Sequence, residues 1–322
     1  MVNTNILITS AGKRVELLKE FKKELSNLVT DGEVLTVDLN PLMAPACHYS
    51  DKSFSIDSVL SANYTSALLD ICKNNNVGIV VPTIDTELHI LSQNRNIFAK
   101  SGIEIMISDE SFIQICRDKR LTNKFFSKHG IKVPNPIDKN NPTFPIFAKP
   151  YDGSLSKNIH IIRNHGELTQ EILSDPKLMF MELIDKHQYK EFTIDMYYGN
   201  DGNLKSIVPR ERIEIRSGEV NKGATRKNGL VSFLKNRMGY VQGVRGCICV
   251  QLFYREADND IYGIEINPRF GGGYPLSYHA GANFPEMMIK EYILGEDLKY
   301  TESWNPNTIM LRYDSQVIFK EQ

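Results

Sequence analysis

The chain has 322 residues, 41% of them hydrophobic, which is enough to bury a large core and to form two or three packed lobes. Its 38 Lys and Arg balance its 39 Asp and Glu, which argues against a nucleic-acid-binding protein because such proteins carry a basic face. The sequence has no run of about 18 apolar residues, so we expect no membrane span. The N-terminus lacks the basic, apolar and small-residue zones of a signal peptide, so we expect none. The five cysteines are scattered without a C-x-x-C pair, which is typical of reduced thiols in a cytoplasmic protein.

Predicted strands and helices alternate over the first 110 residues. Strands are predicted at 5–9, 34–37, 78–81 and 103–107, with helices near 15–28, 64–73 and 87–100. This alternation predicts a parallel sheet with helices on its faces. Ligands of such sheets lie beyond the carboxyl ends of the strands, so we expect Ser10–Arg14, Asp38 and Asp85–Glu87 to share one functional edge.

The pattern changes after residue 110. A helix is predicted over 118–129, followed by strands at 146–149, 159–162 and 178–182. Two hairpins then follow, 191–198 with 204–216 and 247–254 with 261–266, each around a Gly-, Asn- or Asp-rich turn, and a last helix covers 286–294. We therefore predict an α/β domain over residues 1–110, a small lobe over 111–185 and a large lobe over 186–322, with antiparallel sheets in both lobes.

The second hairpin carries a polar group that suits a metal. Because side chains alternate along a strand, Glu265 and Asn267 share a face, and Gln251 can point to it from the neighbouring strand. Three oxygen donors with one formal charge suit a hard cation such as Mg²⁺. Arg269 follows on the same side, where it can hold a transferring phosphoryl group. A solvated hairpin is the alternative for Glu265 alone, but Glu-x-Asn-Pro-Arg leading into Gly271–Gly273 is hard to explain by packing.

A lysine closes the predicted strand at 146–149, and a loop of small residues follows it. A buried lysine is costly without a partner, and loops of small residues leave backbone N–H groups for phosphates. Lys149 is therefore a candidate for neutralising a phosphate beneath the loop around Ser154. A plain turn at Asp152-Gly153 is the alternative.

Two later segments carry polar groups at strand ends. The backbone at Leu183 and Ile184 can hydrogen-bond the edge of a purine, with Glu182 accepting from the adenine amino group. Glu191 can accept from ribose hydroxyls. Two surface acids are the alternative to this nucleoside site.

The strand after the first hairpin turn carries three arginines. Period-two alternation places Arg210, Arg212 and Arg216 on one face, and Ile213 and Ile215 on the other. Arginine suits two-point contacts with carboxylates and phosphates, although any half-buried strand shows the same period.

The polar residues described above resemble the ATP-grasp superfamily in their type and in their order along the chain. The resemblance covers nearly the whole chain, and in chain order its residues are Lys119, Lys149, Glu182, Glu191, Gln251, Glu265, Asn267 and Arg269. The likeness is strongest to the synthetase half of the carbamoyl phosphate synthetase large subunit and to related single-copy carboxylate–amine ligases. Ile6–Arg14, Val81–Leu88 and the start of the predicted helix at Asp118-Lys119 also resemble this group, and Glu-x-Asn-Pro-Arg is the most specific motif. The resemblance implies a Rossmann-like pre-ATP-grasp domain followed by a two-lobed ATP-grasp domain.

The resemblance also implies a set of ligand contacts. Lys119 and Lys149 would bind the phosphates of ATP, with the loop around Ser154 above them. It assigns adenine to Glu182, Leu183 and Ile184, ribose to Glu191, and Mg²⁺, or Mn²⁺ in its place, to Gln251, Glu265 and Asn267. Arg269 would steady the γ-phosphate and the acyl phosphate, with Arg212 and Arg216 near the phosphates and the substrate carboxylate.

The implied reaction is amide formation. ATP activates a carboxylate as an acyl phosphate, which an amine then attacks. Small-molecule carboxylate and amine substrates follow, and we name Lys13 and Arg14 as candidates for a carboxylate and Asp85 and Glu87 for an ammonium group. Exposed loop charges are an equal alternative for these four residues.

Other functions stay open from the sequence. One is a carbamoyl-phosphate-synthase-like enzyme that phosphorylates bicarbonate or carbamate. The chain has one synthetase half and no glutaminase signature, which disfavours carbamoyl phosphate as its only product. Another is an ATP-binding module without chemistry, which would not need the full metal set. An NAD-type Rossmann protein is disfavoured because Ser10–Arg14 lacks G-x-G-x-x-G. Because proteins of the family that this sequence resembles often form dimers, we also expect a homodimer.

Overall fold

The computed structural model describes residues 3–153 and 158–320, and its first part is a five-stranded parallel sheet. Its strands are β1 (Asn5–Thr9), β2 (Val34–Asp38), β3 (Lys52–Ser55), β4 (Val77–Val81) and β5 (Glu104–Ile105), and its helices are α1 (Val15–Leu28), α2 (Tyr64–Asn74) and α3 (Asp85–Ala99). The strand order is β3-β2-β1-β4-β5. The central strands β1 and β4 are buried along their whole length because helices cover both faces. The order reverses between β1 and β4, which is where ligands of such sheets bind.

A small antiparallel sheet forms the middle of the chain. Two helices, α4 (Glu110–Arg117) and α5 (Lys119–Lys128), lead to it, and its elements are β6 (Ile146–Pro150), β7 (His160–Ile162), α6 (Gln170–Ser174) and β8 (Leu178–Glu182). The strand order is β7-β6-β8. Ile146, Ala148, Ile162, Leu178 and Phe180 form a core cluster of its own, so this sheet is a separate layer.

The last part of the chain is built on a six-stranded antiparallel sheet. Its strands are β9 (Lys190–Tyr198), β10 (Leu204–Arg216), β11 (Glu219–Thr225), β12 (Gly246–Arg255), β13 (Asp260–Asn267) and β14 (Ile309–Leu311), and its helices are α7 (Gly229–Met238), α8 (Pro275–His279) and α9 (Phe284–Tyr292). The strand order is β13-β12-β9-β10-β11-β14. Both predicted hairpins are present, as β9–β10 and β12–β13.

One hydrophobic core joins the first and last sheets. It contains Ile6 and Phe21 from the first part and Phe270 and Tyr274 from the last. The rings of Phe21 and Phe270 meet edge to face at 5.8 Å between centroids, a favoured aromatic geometry. The two sheets are therefore held in a fixed relation around this core.

Beyond β14 the chain returns to the first part of the molecule. The carboxylate of Asp314 pairs with Arg216 at 2.6 Å. Further along, the ring of Phe319 lies 4.6 Å from the ring of His48, measured between centroids. The segment 312–320 thus contacts both the large sheet and the N-terminal sheet.

The predicted mixed architecture, a parallel sheet followed by antiparallel sheets, is confirmed. The sequence analysis missed β3, whose Lys-Ser-Phe-Ser sequence has no apolar run because the strand lies at the exposed edge of the sheet. It also missed α4. No helix in the described residues is long and apolar enough to cross a membrane. The boundaries at residues 110 and 185 stay a prediction.

Candidate active site

The β12–β13 hairpin brings three oxygen-bearing side chains together. Gln251 lies directly opposite Glu265, and Cys249 lies opposite Asn267. The Asn267 amide donates to Glu265 Oε1 at 3.1 Å, and all three candidate metal ligands are partly buried. Ile266 is buried on the other face, so packing fixes which way Glu265 and Asn267 point.

Lys119 connects the small sheet to this hairpin. Asp118 caps α5 by accepting from the Arg120 N–H, which places Lys119 in the first turn. Its buried ammonium donates to the Gly153 carbonyl at 2.6 Å and lies 3.9 Å from Glu265 Oε2. This cation is therefore fixed between the small-residue loop and the predicted metal ligands.

Lys149 faces the same cleft from β6. Its pKa is lowered to about 8, first by burial and then by the charge of Lys119, while Glu265 and Glu191 oppose the shift. The ammonium of Lys149 makes no hydrogen bond or ion pair to the described residues, so it is available to an anion. Ser154, predicted to cover the phosphates, lies outside the described residues.

The predicted nucleoside segment leaves β8 in an extended form. Within the described residues, the backbone groups of Leu183 and Ile184 make no hydrogen bond. A purine edge could bind there only if these N–H and C=O groups were free. Glu182 is occupied on one oxygen, which accepts from the backbone and side chain of Asn135 at 2.9 and 3.1 Å. Its other oxygen remains for a ligand.

Glu191 is paired with an arginine. Its Oε1 lies 2.9 Å from Arg212 Nε, and Arg212 also donates to Thr193 Oγ1 at 3.2 Å. The Arg212 side chain is 9% exposed. Arg212 therefore orients the carboxylate of Glu191, the predicted ribose contact.

The other two arginines of β10 do not share this position. Arg210 is buried in a two-point pair with Asp195 at 2.6 and 2.8 Å, and Ser277 also donates to Asp195. Arg216 lies on the surface, 65% exposed, and pairs with Asp314. Its predicted place near the phosphates and the substrate carboxylate stays a prediction. The pairing of β10 with β11 shifts register around Glu214, between Arg212 and Arg216.

The apolar side chains at this end of β10 are also exposed. Ile213 is 52% exposed and Ile215 is 40% exposed, so strict alternation fails where β10 extends past the core. A bulged strand bends and twists, which re-aims the side chains beyond the bulge.

Arg269 links the end of β13 to the N-terminal sheet. Its guanidinium binds Asp85 at two points, 2.9 and 2.7 Å, and donates to the Phe270 carbonyl at 3.0 Å. Burial alone would lower the pKa of Arg269, but the Asp85 carboxylate raises it overall. Arg269 is therefore charged and is held at the junction of the two sheets.

The two acids at the start of α3 differ in role. Glu87 is completely buried and accepts from Ser10 Oγ at 2.9 Å and from the backbone of Thr83 and Ile84 at 2.7 and 3.1 Å. The expectation that Glu87 contacts a substrate ammonium is wrong, because its carboxylate is used to hold two loops. Asp85 reaches the cleft, but its carboxylate is engaged by Arg269, so an ammonium group would have to compete.

The N-terminal turn positions the two remaining candidates. Lys13 is exposed. Arg14 is partly buried at the start of α1, and its Nη2 donates to the Thr83 carbonyl at 3.4 Å. Of the two, Arg14 is the one that reaches into the junction between the sheets.

Sequence reasoning missed a further ion pair at this junction. Arg312 Nη1 lies 3.3 Å from Glu219 Oε2. The Glu219 carboxylate lies over Gly272 of the Gly271–Gly273 turn. No motif marks this pair, because Arg312 and Glu219 are distant in the sequence.

The described residues contain no cluster of three His, Cys, Asp or Glu side chains that could hold a metal ion. The donor set of Gln251, Glu265 and Asn267 has one carboxylate and two amides. Such a set binds a hard cation weakly unless a ligand supplies further oxygens.

The comparisons with known families and structures agree with this architecture. A family model for the N-terminal domain of PylC-like proteins matches residues 6–106. A model for the ATP-grasp domain of a biosynthetic pathway with the Ter operon matches residues 174–313. No curated protein is similar to this chain in sequence.

Several solved structures share the fold. The biotin carboxylase domain of 2-oxoglutarate carboxylase from Hydrogenobacter thermophilus, a dimer with MgADP, ADP and bicarbonate, has a TM-score of 0.70 and 14% identity over 94% of this chain and 73% of its own. N5-carboxyaminoimidazole synthetase from Staphylococcus aureus with ADP has a TM-score of 0.68 and 16% identity over 95% and 79%. An L-amino acid ligase from Bacillus licheniformis has a TM-score of 0.65 and 15% identity over 90% and 74%. The chain therefore matches a PylC-like N-terminal model and an ATP-grasp model over separate segments, and it shares its fold with these ATP-binding enzymes.

Proposed function

We propose that the chain is an ATP- and Mg²⁺-dependent carboxylate–amine ligase that forms an amide through an acyl phosphate. The observation that carries this proposal is the meeting of Lys119 and Lys149 with the oxygen donors of β12–β13 in one cleft. Two ammonium groups beside a partly satisfied donor set suit the phosphates of a nucleotide and the cation that accompanies them.

The donor set fits Mg²⁺. Gln251, Glu265 and Asn267 provide oxygens and a single negative charge, so phosphate oxygens would complete the shell. When bound, the metal would offset the charge on the transferring phosphoryl group. Leu183 and Ile184 would hold the adenine edge, and Glu191, kept in place by Arg212, would accept from the ribose.

Four of the five cysteines are poor candidates for a thioester intermediate. Burial raises the pKa of the thiols of Cys47, Cys72, Cys116 and Cys247, which disfavours the thiolate that a thioester would require. A phosphoryl group at the interdomain end of the cleft would meet Arg269, whose charge suits the oxygens of an acyl phosphate.

The test measures ADP release with ATP, Mg²⁺ and a panel of amino acids and other carboxylates, each with and without an amine. Glu265→Ala removes the charged metal ligand and should abolish turnover. Glu256→Ala is the matched control, because Glu256 is an exposed acid in the turn of the same hairpin and its loss should leave turnover unchanged.

The ligase proposal predicts ADP only with a particular carboxylate–amine pair. ADP release with bicarbonate alone would replace it with the bicarbonate- or carbamate-phosphorylating alternative. A non-catalytic module would be favoured by two results together. ATP would bind tightly but no acceptor would give ADP, and Glu265→Ala would bind ATP with the same affinity as the wild type.

We also infer small-molecule substrates and a homodimer. The net charge of −1 supports the absence of nucleic acid, and the dimeric carboxylase domain that shares the fold supports self-association. Analytical ultracentrifugation of the chain tests this, and a monomer at micromolar concentration would contradict it.

A further inference from the structure

Arg14 has unused hydrogen-bonding capacity at the junction of the two sheets. A guanidinium carries five N–H donors. Among the described residues, the Arg14 side chain makes one hydrogen bond, the 3.4 Å contact from its Nη2 to the Thr83 carbonyl. No described carboxylate oxygen lies within 4.0 Å of its nitrogens, although the side chain is partly buried. A half-buried cation without a partner is costly unless a ligand supplies one.

The neighbouring arginines are already paired. Arg269 is bound by Asp85 and Arg312 by Glu219. Burial lowers the pKa of Arg14, the charge of Arg269 lowers it further, Glu219 raises it, and Arg312 lowers it by a smaller amount. This group, called here the junction cluster, therefore holds three cations and two anions, and Arg14 is the cation left over.

The junction cluster is separate from the nucleotide end of the cleft. The charges that act on Lys149 are those of Lys119, Glu265 and Glu191, and Arg14 is not among them. Arg14 instead follows β1 at the point where the strand order reverses, next to β4. An acid substrate that reaches from Arg14 towards the phosphates would pass Arg269.

We propose that Arg14, bordered by the Arg312–Glu219 pair, binds a second carboxylate of the acid substrate, distinct from the carboxylate that is activated. The substrate is then a dicarboxylate. This inference rests on the proposed ligase function and names its substrate class. A guanidinium fork matches a carboxylate at two points, and the single excess positive charge matches one carboxylate. A phosphate monoester carries about two negative charges and would leave one uncompensated.

The test compares diacids with their monoamides, which keep the shape and lose one charge. The probes are glutamate with glutamine, aspartate with asparagine, and succinate with succinamate, each with ATP, Mg²⁺ and the amine panel. The measured quantity is the ratio of kcat/KM for a diacid to that for its amide, in the wild type, Arg14→Gln and Arg14→Lys. Lys19→Gln is the control, because it removes an exposed charge from the same helix.

The expected result is a diacid preference that Arg14→Gln reduces by about 10- to 100-fold, chiefly through KM. Arg14→Lys should retain part of the preference, and Arg312→Gln should lower it less. ATP affinity should stay unchanged in Arg14→Gln, which separates this effect from misfolding. A preferred acid with a single carboxylate, a preferred phosphorylated acid, or an unchanged ratio in Arg14→Gln would overturn the inference and leave the ligase function standing.

Binding supplies a readout that does not need turnover. In the presence of ADP and Mg²⁺, glutamate, aspartate or succinate should raise the melting temperature of the wild type and of Lys19→Gln, but not of Arg14→Gln. A diacid shift of this kind without any ADP release would support the anion site while the ligase proposal fails. Equal shifts in Arg14→Gln, or no shift with any diacid, would overturn the inference.

Discussion

The charged side chains at the two ends of the cleft differ in how completely they are paired. At the nucleotide end, Lys119 lies 3.9 Å from Glu265 and Lys149 has no partner among the described residues. At the junction end, Arg269 and Asp85 make a two-point pair, with N–O distances of 2.9 and 2.7 Å. The first arrangement leaves charges for a ligand to satisfy. The second uses most of its charges to join the sheets and leaves the Arg14 guanidinium without a carboxylate partner among the described residues.

The largest expected effect comes from removing the cation that joins the two ends. Arg269→Ala should lower kcat by about 10²–10³-fold, because a positioned donor to a developing anion contributes that much. ATP affinity should change little, since Lys119 and Lys149 lie at the other end. Fluorescence titration with ATP and initial rates check both quantities. Arg237→Ala, at an exposed arginine on α7, is the control, and an equal loss of ATP affinity in Arg269→Ala would break the comparison.

The nucleotide end should show a pH dependence that follows from Lys149. Its pKa of about 8 in the unliganded protein means that the ammonium, the form that binds phosphates, is present below pH 8 and is lost above it. The Kd for ATP should therefore be flat below pH 8 and rise by up to about tenfold per pH unit above it.

The matched variant for this titration is Lys149→Arg. Its guanidinium stays charged at high pH, so the rise in Kd should disappear. The same pH profile in both proteins would show that another group controls ATP binding.

The junction end should contribute to stability, and this effect is smaller. Asp85→Asn removes one partner of the partly buried pair with Arg269 and should lower the free energy of unfolding by about 1–2 kcal/mol. Asp314→Asn breaks the exposed pair with Arg216 and should leave the free energy of unfolding almost unchanged, because solvent screens such a pair. Urea unfolding of the two variants sharpens the comparison, and equal losses would mean that the junction pair has no structural role.

The sequence was sufficient for features set by local chain geometry. Gln251 faces Glu265 because a tight turn fixes the register of a hairpin and alternation then decides the face. The parallel sheet followed from strands separated by helices. The Glu-x-Asn-Pro-Arg pattern lies at the end of β13, where alternation along the strand places Glu265 and Asn267 on one face.

Features set by bulges and long-range packing could not be predicted. The register of β10 shifts near Glu214, and no residue type in the sequence indicates that shift. Asp85 and Glu87 are two residues apart at one helix start, and only the packing of the β1 loop decides that Glu87 is buried. The Arg312–Glu219 pair depends on how the last strand lies beside β11.

The return of the chain beyond β14 has a consequence for the order of assembly during synthesis. Phe319 contacts His48, so the loop that carries His48 is synthesised well before its partner. The β12–β13 hairpin is synthesised earlier than Arg312 and segment 312–320, and domains form as their chain emerges. A nascent chain can thus complete the β12–β13 hairpin first, whereas the junction end closes only after segment 312–320 has emerged.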